Sequence, residues 1–205
     1  MHLSYCFILT IFRLSSNKLM ISQYIEAAIL AFIQGFSEFI PVSSSAHLIL
    51  FSEIYNFNIN SLQLDISLHL GSLFAIIFYF RSDLLIFTKN KNLFSLIIIG
   101  SLPLIIIGYI FFITGIVDYF RSLKIIAWTT LIFGLLLYFA DRSQMKQKLD
   151  TNLNYKSILI IGLLQVLAII PGVSRSGIVI TASRFLSFDR VDSSKIAFYL
   201  SIPAL

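Results

Sequence analysis

Long apolar segments alternate with short polar ones along this chain. The apolar segments cover about residues 21–40, 62–80, 93–113, 125–140 and 157–170. Each approaches the ~20 residues that a helix needs to cross ~30 Å of hydrocarbon, although the last two are short. The alternating ten-residue pattern of a membrane β-barrel does not occur. The sequence therefore predicts an all-α integral membrane protein, a polytopic helical bundle.

Two polar segments interrupt this pattern. Residues 41–56 contain Pro41, a run of three serines and His47, and are too polar and too short to cross lipid. Residues 174–188 have the same character. Polar breaks at membrane depth are tolerated where they are buried in protein, so both segments are predicted to be re-entrant helices.

Composition supports a membrane location and excludes other classes. Hydrophobic residues make up 58% of the 205 positions and charged residues 12%, with a mean hydropathy of +0.90, whereas soluble proteins have roughly 45–50% and about 25%. The net charge of +5 comes without the interleaved exposed aromatics of a nucleic-acid-binding surface. The single cysteine, Cys6, excludes an internal disulfide and a cysteine-based metal site.

Basic residues in the loops predict the orientation in the membrane. Loops 81–92 and 141–156 carry three and four lysines or arginines, whereas residues 114–124 carry two. Cytoplasmic loops are enriched in these residues, so the first two loops are predicted to be cytoplasmic. Counted outward from them, the spans put both polar segments on the extracytoplasmic side.

Residues 1–19 are interpreted as an N-terminal extension of the membrane domain. Their short apolar run precedes Arg13 and Lys18, which reverses the order found in a secretory signal. Because Met20 opens the next segment, the start of the functional protein, Met1 or Met20, stays open.

An internal repeat relates the two polar segments. Residues 34–45 and 165–176 share a glutamine late in an apolar helix, then Ile-Pro, then Val-Ser and a further Ser, with a period of about 131 residues. Matching breaks are typical of two inverted-topology repeats whose broken helices meet at one central site. We therefore predict a first membrane repeat over 20–150 and the start of a second over 151–205, incomplete because a matching repeat would continue past Leu205.

Glu38 is the main candidate for chemistry in the first break. Gln34 and Glu38 are four positions apart, so both project from one face of a helix. Glu38 has apolar neighbours, among which a charge at mid-membrane costs ~2.5–3.5 kcal/mol. The carboxylate therefore needs a partner, unless it lies at the interface and reaches water.

Three serines and a histidine follow Pro41. A serine in this position commonly caps the next helix, which is the alternative to a catalytic role for Ser43, Ser44 and Ser45. His47 lies three positions after Ser44, so on a helix one could act as base for the other.

The second break favours anion binding. Pro171-Gly-Val-Ser-Arg-Ser-Gly177 puts a turn, two hydroxyls and an arginine at the predicted start of a helix, where free N–H groups and the dipole attract anions. Arg175 can bind a phosphate through paired hydrogen bonds, with Ser174 and Ser176 as further donors. A loop cation at the lipid headgroups is the alternative. Together the breaks suit hydrolysis of a phosphate ester or diphosphate, with a divalent cation held by Glu38 and by substrate oxygens.

The two breaks resemble the two signatures of the undecaprenyl-diphosphatase (bacitracin-resistance) family. Gln34-x-x-x-Glu38, followed by Pro-Val-Ser-Ser-Ser-Ala-His47, is similar to the first signature, and Pro-Gly-Val-Ser-Arg-Ser176 to the second. The stretch Asp65-Ile-Ser-Leu-His-Leu-Gly-Ser72 also resembles one in those enzymes. The resemblance covers about residues 20–205.

This resemblance implies hydrolysis of undecaprenyl diphosphate to the monophosphate and inorganic phosphate at the outer face of the bacterial inner membrane. The reaction recycles the lipid carrier of peptidoglycan synthesis, with Mg²⁺ or Ca²⁺ as cofactor. It implies Glu38 as metal ligand or acid/base, Ser44 as nucleophile and His47 as its partner. The residues implied in binding the diphosphate are Gln34, Ser43, Ser174, Arg175 and Ser176.

Three departures from the family pattern affect these expectations. Gln34 stands where glutamate is common, which leaves one carboxylate for the metal. Val179 stands where threonine is usual, with Thr181 two positions later. The last third of the family's length is missing, which raises an inactive membrane scaffold as an alternative to the enzyme. A lipid-carrier transporter is the other alternative. The expected partners are the polyprenyl diphosphate substrate and membrane lipids, with no nucleic acid; homo-oligomerisation stays open.

Overall fold

The computed structural model describes residues 22–57, 62–82, 84 and 90–205. Within these residues every regular element is helical, apart from one β-bridge between Gln147 and Phe188. The predicted extension over 1–19, the start at Met20 and Lys89 of the first basic loop lie outside the described residues.

The helices follow the predicted apolar spans. In chain order they are α1 (22–37), α2 (Ser44–Ile54), α3 (Leu62–Tyr79), α4 (Lys91–Thr114), α5 (Ile116–Tyr119), α6 (Leu123–Asp141), α7 (Leu149–Asn152), α8 (Tyr155–Gln165), α9 (Arg175–Phe185) and α10 (Arg190–Ala204). A 3₁₀ turn over Val166–Ile169 follows α8. The prediction of an all-helical bundle is confirmed, because α1, α3, α4, α6 and α8 coincide with the five apolar segments.

Helices α4 and α6 are long and apolar enough to span a membrane. Their 24 and 19 residues correspond to about 36 and about 28 Å of helix. Large apolar side chains of both helices are exposed, among them Ile106, Phe112, Leu131 and Leu135. A surface of this kind is stable against hydrocarbon and unfavourable in water.

The two predicted breaks each form a short helix. Helices α2 and α9 have 11 residues each, or about 16 Å, which is roughly half of the hydrocarbon thickness. Ser43 caps α2 by accepting a hydrogen bond from Ala46 N, and Ser174 caps α9 by accepting one from Gly177 N. The capping role considered for the serine run therefore holds for Ser43, and Ser44 is left as the first residue of the helix.

Helices α4 and α8 approach backbone to backbone through two glycines. A Cβ on Gly162 would lie 2.1 Å from Gly100 O, and one on Gly100 would lie 2.7 Å from Ile158 Cγ1. Small residues permit this close approach, which is a common way for helices to pack in membranes. The buried core around this contact also draws on α9 and α10, including Val179, Ile196 and Leu200.

A buried arginine holds the C-terminal end of α9. Arg184 is fully buried and donates to Asp141 O at 2.8 Å, to Ser143 O at 2.7 Å and to Phe188 O. Asp141 also accepts two hydrogen bonds from Arg190, at 2.8 and 2.7 Å. A buried charge persists only with such partners, so the ends of α6 and α9 are tied together at this point.

Candidate active site

The two breaks meet in the structure. Gly172 N donates a hydrogen bond to Ser43 Oγ at 3.2 Å, and Ser176 Oγ donates to Ile40 O at 3.2 Å. A Cβ on Gly177 would lie 3.4 Å from Pro41 O. The starts of α2 and α9 therefore face one another.

The Glu38 carboxylate joins residues from both breaks. Its Oε1 accepts a hydrogen bond from Arg175 Nη2 in a buried ion pair. Its Oε2 accepts from Ser44 Oγ at 2.5 Å and from Gln34 Nε2 at 2.9 Å. The Glu38 side chain is 4% exposed and that of Arg175 is 18% exposed. Glu38 thus has the partner that a carboxylate in an apolar setting requires.

Local backbone structure explains why these groups converge. Glu38 N donates to Gln34 O at 2.9 Å, which continues the helical turn beyond α1 and keeps both side chains on one face. Ser44 and Arg175 are the first residues of α2 and α9. The two helix starts lie close together, and the free N–H groups and positive dipole ends at a helix N-terminus favour an anion there.

A cavity of about 460 Å³ opens beside this cluster. Its polar lining comes from both breaks and from α3, namely Glu38, Ser43, Ser44, Ser45, His69, Ser174, Arg175 and Ser176. Its apolar wall includes residues of α4 and of the 3₁₀ turn, namely Leu104, Ile105, Gly108, Tyr109, Ala168 and Ile169. The cavity therefore offers a cationic and hydroxyl-rich end next to an apolar surface, which suits the head of an anionic lipid.

The two histidines near the site have different surroundings. His47 Nδ1 lies 2.7 Å from Ser43 O, whereas the Ser44 hydroxyl donates to Glu38. His69 Nδ1 lies 2.8 Å from Asp65 O, and its Nε2 lies 3.8 Å from Glu38 Oε2. The geometry therefore favours Glu38 over the predicted His47 as the base next to Ser44, because the helix turns the His47 ring back to the carbonyl four residues before it.

Hydroxyl pairs frame the cavity on both sides. Ser43 Oγ and Ser45 Oγ lie 3.2 Å apart, as do Ser174 Oγ and Ser176 Oγ. Ser43 and Ser174 each also accept from a backbone N–H, as described above. These hydroxyls can orient a ligand, but part of their hydrogen-bonding capacity already holds the breaks in shape.

The site fits a cation that is shared with a substrate. Among the described residues, no group of three or more His, Cys, Asp or Glu side chains could hold a metal ion. Mg²⁺ is commonly bound through one or two carboxylates together with substrate phosphates. Glu38 supplies one such carboxylate at the cavity, so the residues fit a substrate-bridged ion and do not form a cage of protein ligands.

The sequence pattern alone predicts no role for His69, Ser72 or Thr129. His69 lines the cavity, and Ser72 Oγ lies 3.4 Å from Gln34 Nε2. Both belong to the stretch 65–72 that carries the family resemblance, which was the available signal. Thr129 Oγ1 donates to Pro171 O at 2.7 Å, and a threonine within an apolar helix gives no signal of such a contact.

Comparison with known proteins identifies the family. The family described as bacitracin resistance protein BacA matches residues 27–205. The chain belongs to this family. A protein of Pelagibacter ubique (strain HTCC1062), named undecaprenyl-diphosphatase, is 58% identical over 187 residues, which cover 91% of this chain and 73% of that protein.

Two less similar relatives support the same family assignment. Proteins with the same name from Jannaschia sp. (strain CCS1) and Aliivibrio salmonicida (strain LFI1238) are 40% and 39% identical, over 190 and 195 residues. The matches cover 86% and 89% of this chain, and 71% and 73% of the relatives. Family membership and the exposed apolar faces of α4 and α6 together indicate that this member of the BacA family is a membrane protein.

Proposed function

We propose that this protein hydrolyses undecaprenyl diphosphate, releasing inorganic phosphate and leaving undecaprenyl phosphate. The observation that carries the proposal is the meeting of Ser44 and Arg175, from different breaks, on the single carboxylate of Glu38. The relatives' name, undecaprenyl-diphosphatase, supports the same substrate. This reaction would recycle a lipid carrier of cell-wall synthesis.

The cavity suits the head of such a substrate. Arg175 and the N-termini of α2 and α9 would bind the diphosphate oxygens, with Ser174 and Ser176 as further donors. The apolar wall from α4 would lie against the first isoprene units. An extended polyprenyl chain could then leave the cavity sideways into lipid, without entering water.

Substrate binding would exchange the partner of Arg175. In the structure Arg175 is paired with Glu38 Oε1. A terminal phosphate would compete for the same guanidinium, because paired hydrogen bonds to phosphate match its planar geometry. Once Arg175 has turned to the phosphate, Glu38 is left to act on Ser44, whose hydroxyl already donates to it.

In the proposed reaction, Ser44 Oγ attacks the terminal phosphorus while its proton moves to Glu38 Oε2. The bond between this phosphorus and the bridging oxygen breaks, and Glu38 passes the proton to the departing undecaprenyl phosphate. Water then attacks the phosphoserine and gives a proton to Glu38; this proton returns to Ser44 Oγ as phosphate leaves. Direct attack by water, with Glu38 as base and Ser44 as hydrogen-bond donor, is the alternative that stays open.

The proposal includes a divalent cation, Mg²⁺ or Ca²⁺, held by Glu38 and by phosphate oxygens of the substrate. When bound, such an ion would neutralise charge on the diphosphate. Arg175 and the helix N-termini would supply the remaining positive potential from the protein.

We further propose that the cavity faces the extracytoplasmic side of a bacterial inner membrane. Thr129 of α6 contacts the second break, and the basic loop 141–156 follows the other end of α6. Cysteines at Ser45 and Ser174, in a Cys6→Ser background, should react with an impermeant thiol reagent added outside. External labelling of a cysteine at Lys89 would contradict this orientation.

Phosphate release from undecaprenyl diphosphate is the direct test of the function. The purified full chain in detergent micelles should release phosphate, the Glu38→Gln variant should not, and EDTA should suppress the release. Absence of release by the unmodified chain would contradict the proposed hydrolysis. Movement of the lipid across a vesicle membrane without phosphate release would instead favour a transporter. Phosphate release that is unaffected by EDTA would contradict the proposed requirement for a divalent cation.

A further inference from the structure

Helix α6 lies alongside the second break and α9, and contacts this segment at two places. Thr129 Oγ1 lies 2.7 Å from Pro171 O, closer than its 2.9 and 3.1 Å separations from Ile125 O and Ile126 O of its own helix, so the hydroxyl donates to Pro171 O. Near the C-terminal ends of both helices, Arg184 donates to Asp141 O at 2.8 Å. Thr129 precedes Asp141, and Pro171 precedes Arg184, so the two segments run in the same direction. The second break is therefore anchored to a membrane-spanning helix beside the cavity.

Position 172 of the second break lies so close to Thr129 that only glycine fits there. Gly172 has a positive φ of 94°, and a Cβ there would lie 2.1 Å from Thr129 Oγ1 and 2.7 Å from Ile126 O. Glycine is the residue that adopts this backbone conformation at low cost. The Pro171-Gly172 turn therefore packs directly on one turn of α6. Thr130 Oγ1 lies 3.4 Å from Gly172 O, and Thr129 makes the shorter of the two hydrogen bonds to the turn.

The same turn also holds the first break. The N–H of Gly172 donates to Ser43 Oγ at 3.2 Å. Ser43 caps α2, and the next residue is Ser44, whose hydroxyl donates to Glu38. A continuous chain of contacts therefore leads from Thr129, through Pro171 and Gly172, to the start of the helix that bears Ser44.

We infer that Thr129 is a positioning residue for the reaction. Its hydroxyl fixes the second break on α6, and through Gly172 and Ser43 it fixes the distance between Ser44 and Arg175. Thr129 does not need to touch the substrate for this role. A misplacement of about 1 Å between reacting groups can lower the rate by roughly a hundredfold, so one hydrogen bond outside the cavity can affect turnover. The inference rests on the proposed function.

Three variants test this role kinetically. Thr129→Val keeps the shape of the side chain and removes the hydroxyl, whereas Thr129→Ser keeps the hydroxyl. Thr114→Val is the matched control, because the Thr114 hydroxyl is exposed and its described hydrogen bonds go to Ile110 O and Phe111 O of its own helix. We expect Thr129→Val to lower kcat roughly 10- to 100-fold with a smaller change in KM, and Thr129→Ser and Thr114→Val to stay within about threefold of the unmodified protein. An unchanged kcat per folded molecule of Thr129→Val would overturn the inference.

A distance measurement tests the same role without relying on hydrolysis. Spin labels at Glu53 and Phe185, both exposed residues near the far ends of α2 and α9, would be attached in the Cys6→Ser background. Thr129→Val should broaden the distribution of label distances, and Thr129→Ser should restore it. An unchanged distribution in Thr129→Val would contradict the positioning role. If the unmodified protein releases no phosphate, the proposed function fails, yet this measurement still decides the structural role of Thr129.

Discussion

Ser43 and Ser174 occupy the same position in the two breaks, 131 residues apart, and each caps a helix of 11 residues. Ser45 and Ser176 correspond as well, and each lies 3.2 Å from its capping serine. Among the positions that differ, two bear on the proposed chemistry, and the second break also has an additional glycine, Gly172, after its proline. Arg175 replaces Ser44, and an apolar residue, Ala168 or Ile169, stands in the second break where the first has Glu38.

The comparison separates the positions that shape the backbone of each break from those that carry the reactive groups of the candidate active site. The positions that match are those that shape the backbone, since a cap and its neighbouring hydroxyl are needed at each helix start. The positions that do not match hold the carboxylate, the candidate nucleophile and the cation. In the proposed reaction the first break would supply acid–base chemistry and the second would supply anion binding, so neither half offers the proposed set of groups without the other.

Replacing Glu38 by Gln should give the largest loss of activity. The change preserves shape and removes the carboxylate that binds Ser44 and Arg175. We expect kcat to fall by about 1000-fold or more, because both proton transfer and the proposed cation depend on this group. Phosphate release by the purified variant is the measurement, and Glu53→Gln, an exposed carboxylate of α2, is the control. Near-normal turnover in Glu38→Gln would mean that the reaction does not need the carboxylate that distinguishes the first break from the second.

Replacing Arg175 by Lys should give a smaller loss than the change at Glu38. Lysine keeps the charge but cannot reproduce paired hydrogen bonds to a phosphate, so kcat/KM should fall by roughly 10- to 100-fold. The assay is run at sub-saturating substrate, with Arg142→Lys as the control because Arg142 is an exposed arginine at the end of α6. Equal activity of Arg175→Lys and the unmodified protein would mean that only the positive charge of Arg175 matters. It would contradict the proposed binding of the phosphate at the second break.

Replacing Ser44 by Ala tests the identity of the nucleophile. The 2.5 Å hydrogen bond to Glu38 leads us to expect a loss that approaches that of Glu38→Gln. The control is Ser67→Ala, since the Ser67 hydroxyl is exposed and donates to Gln63 O of its own helix. A loss below about tenfold would instead support direct attack by water, with Ser44 as a hydrogen-bond donor.

Local contacts of the site could be predicted from the sequence. Gln34 and Glu38 meet because residues four apart share a helix face, and Ser43 caps α2 as a serine at the start of a helix commonly does. The meeting of Arg175 with Glu38 is a distant contact, and the internal repeat was the signal for it. Apolar spans likewise predicted the main helices, because their length is set by the thickness of the bilayer.

Other contacts that depend on packing between helices could not be predicted. His47 is close to Ser44 in sequence, yet His69 of α3 is the histidine whose ring lies 3.8 Å from Glu38 Oε2. The sequence pattern gives no signal for Arg184, which is buried because backbone carbonyls at the end of α6 accept its hydrogen bonds. In each case the position of a second helix decides the outcome, and sequence spacing within one helix carries no information about it.

The smallest expected effects concern the two caps, where the breaks are most alike. Ser174→Ala removes the acceptor for Gly177 N and should cost about 1 kcal/mol of stability, as the loss of a helix cap does elsewhere. Ser43→Ala should cost more, because Ser43 Oγ also accepts from Gly172 N and so links the two breaks. Thermal unfolding of the purified variants in one detergent gives the comparison, with Ser67→Ala as the control. If the two cap variants lose equal stability, the hydrogen bond between the breaks contributes nothing measurable, and packing of the Pro171-Gly172 turn on α6 would be left to hold the two halves of the site together.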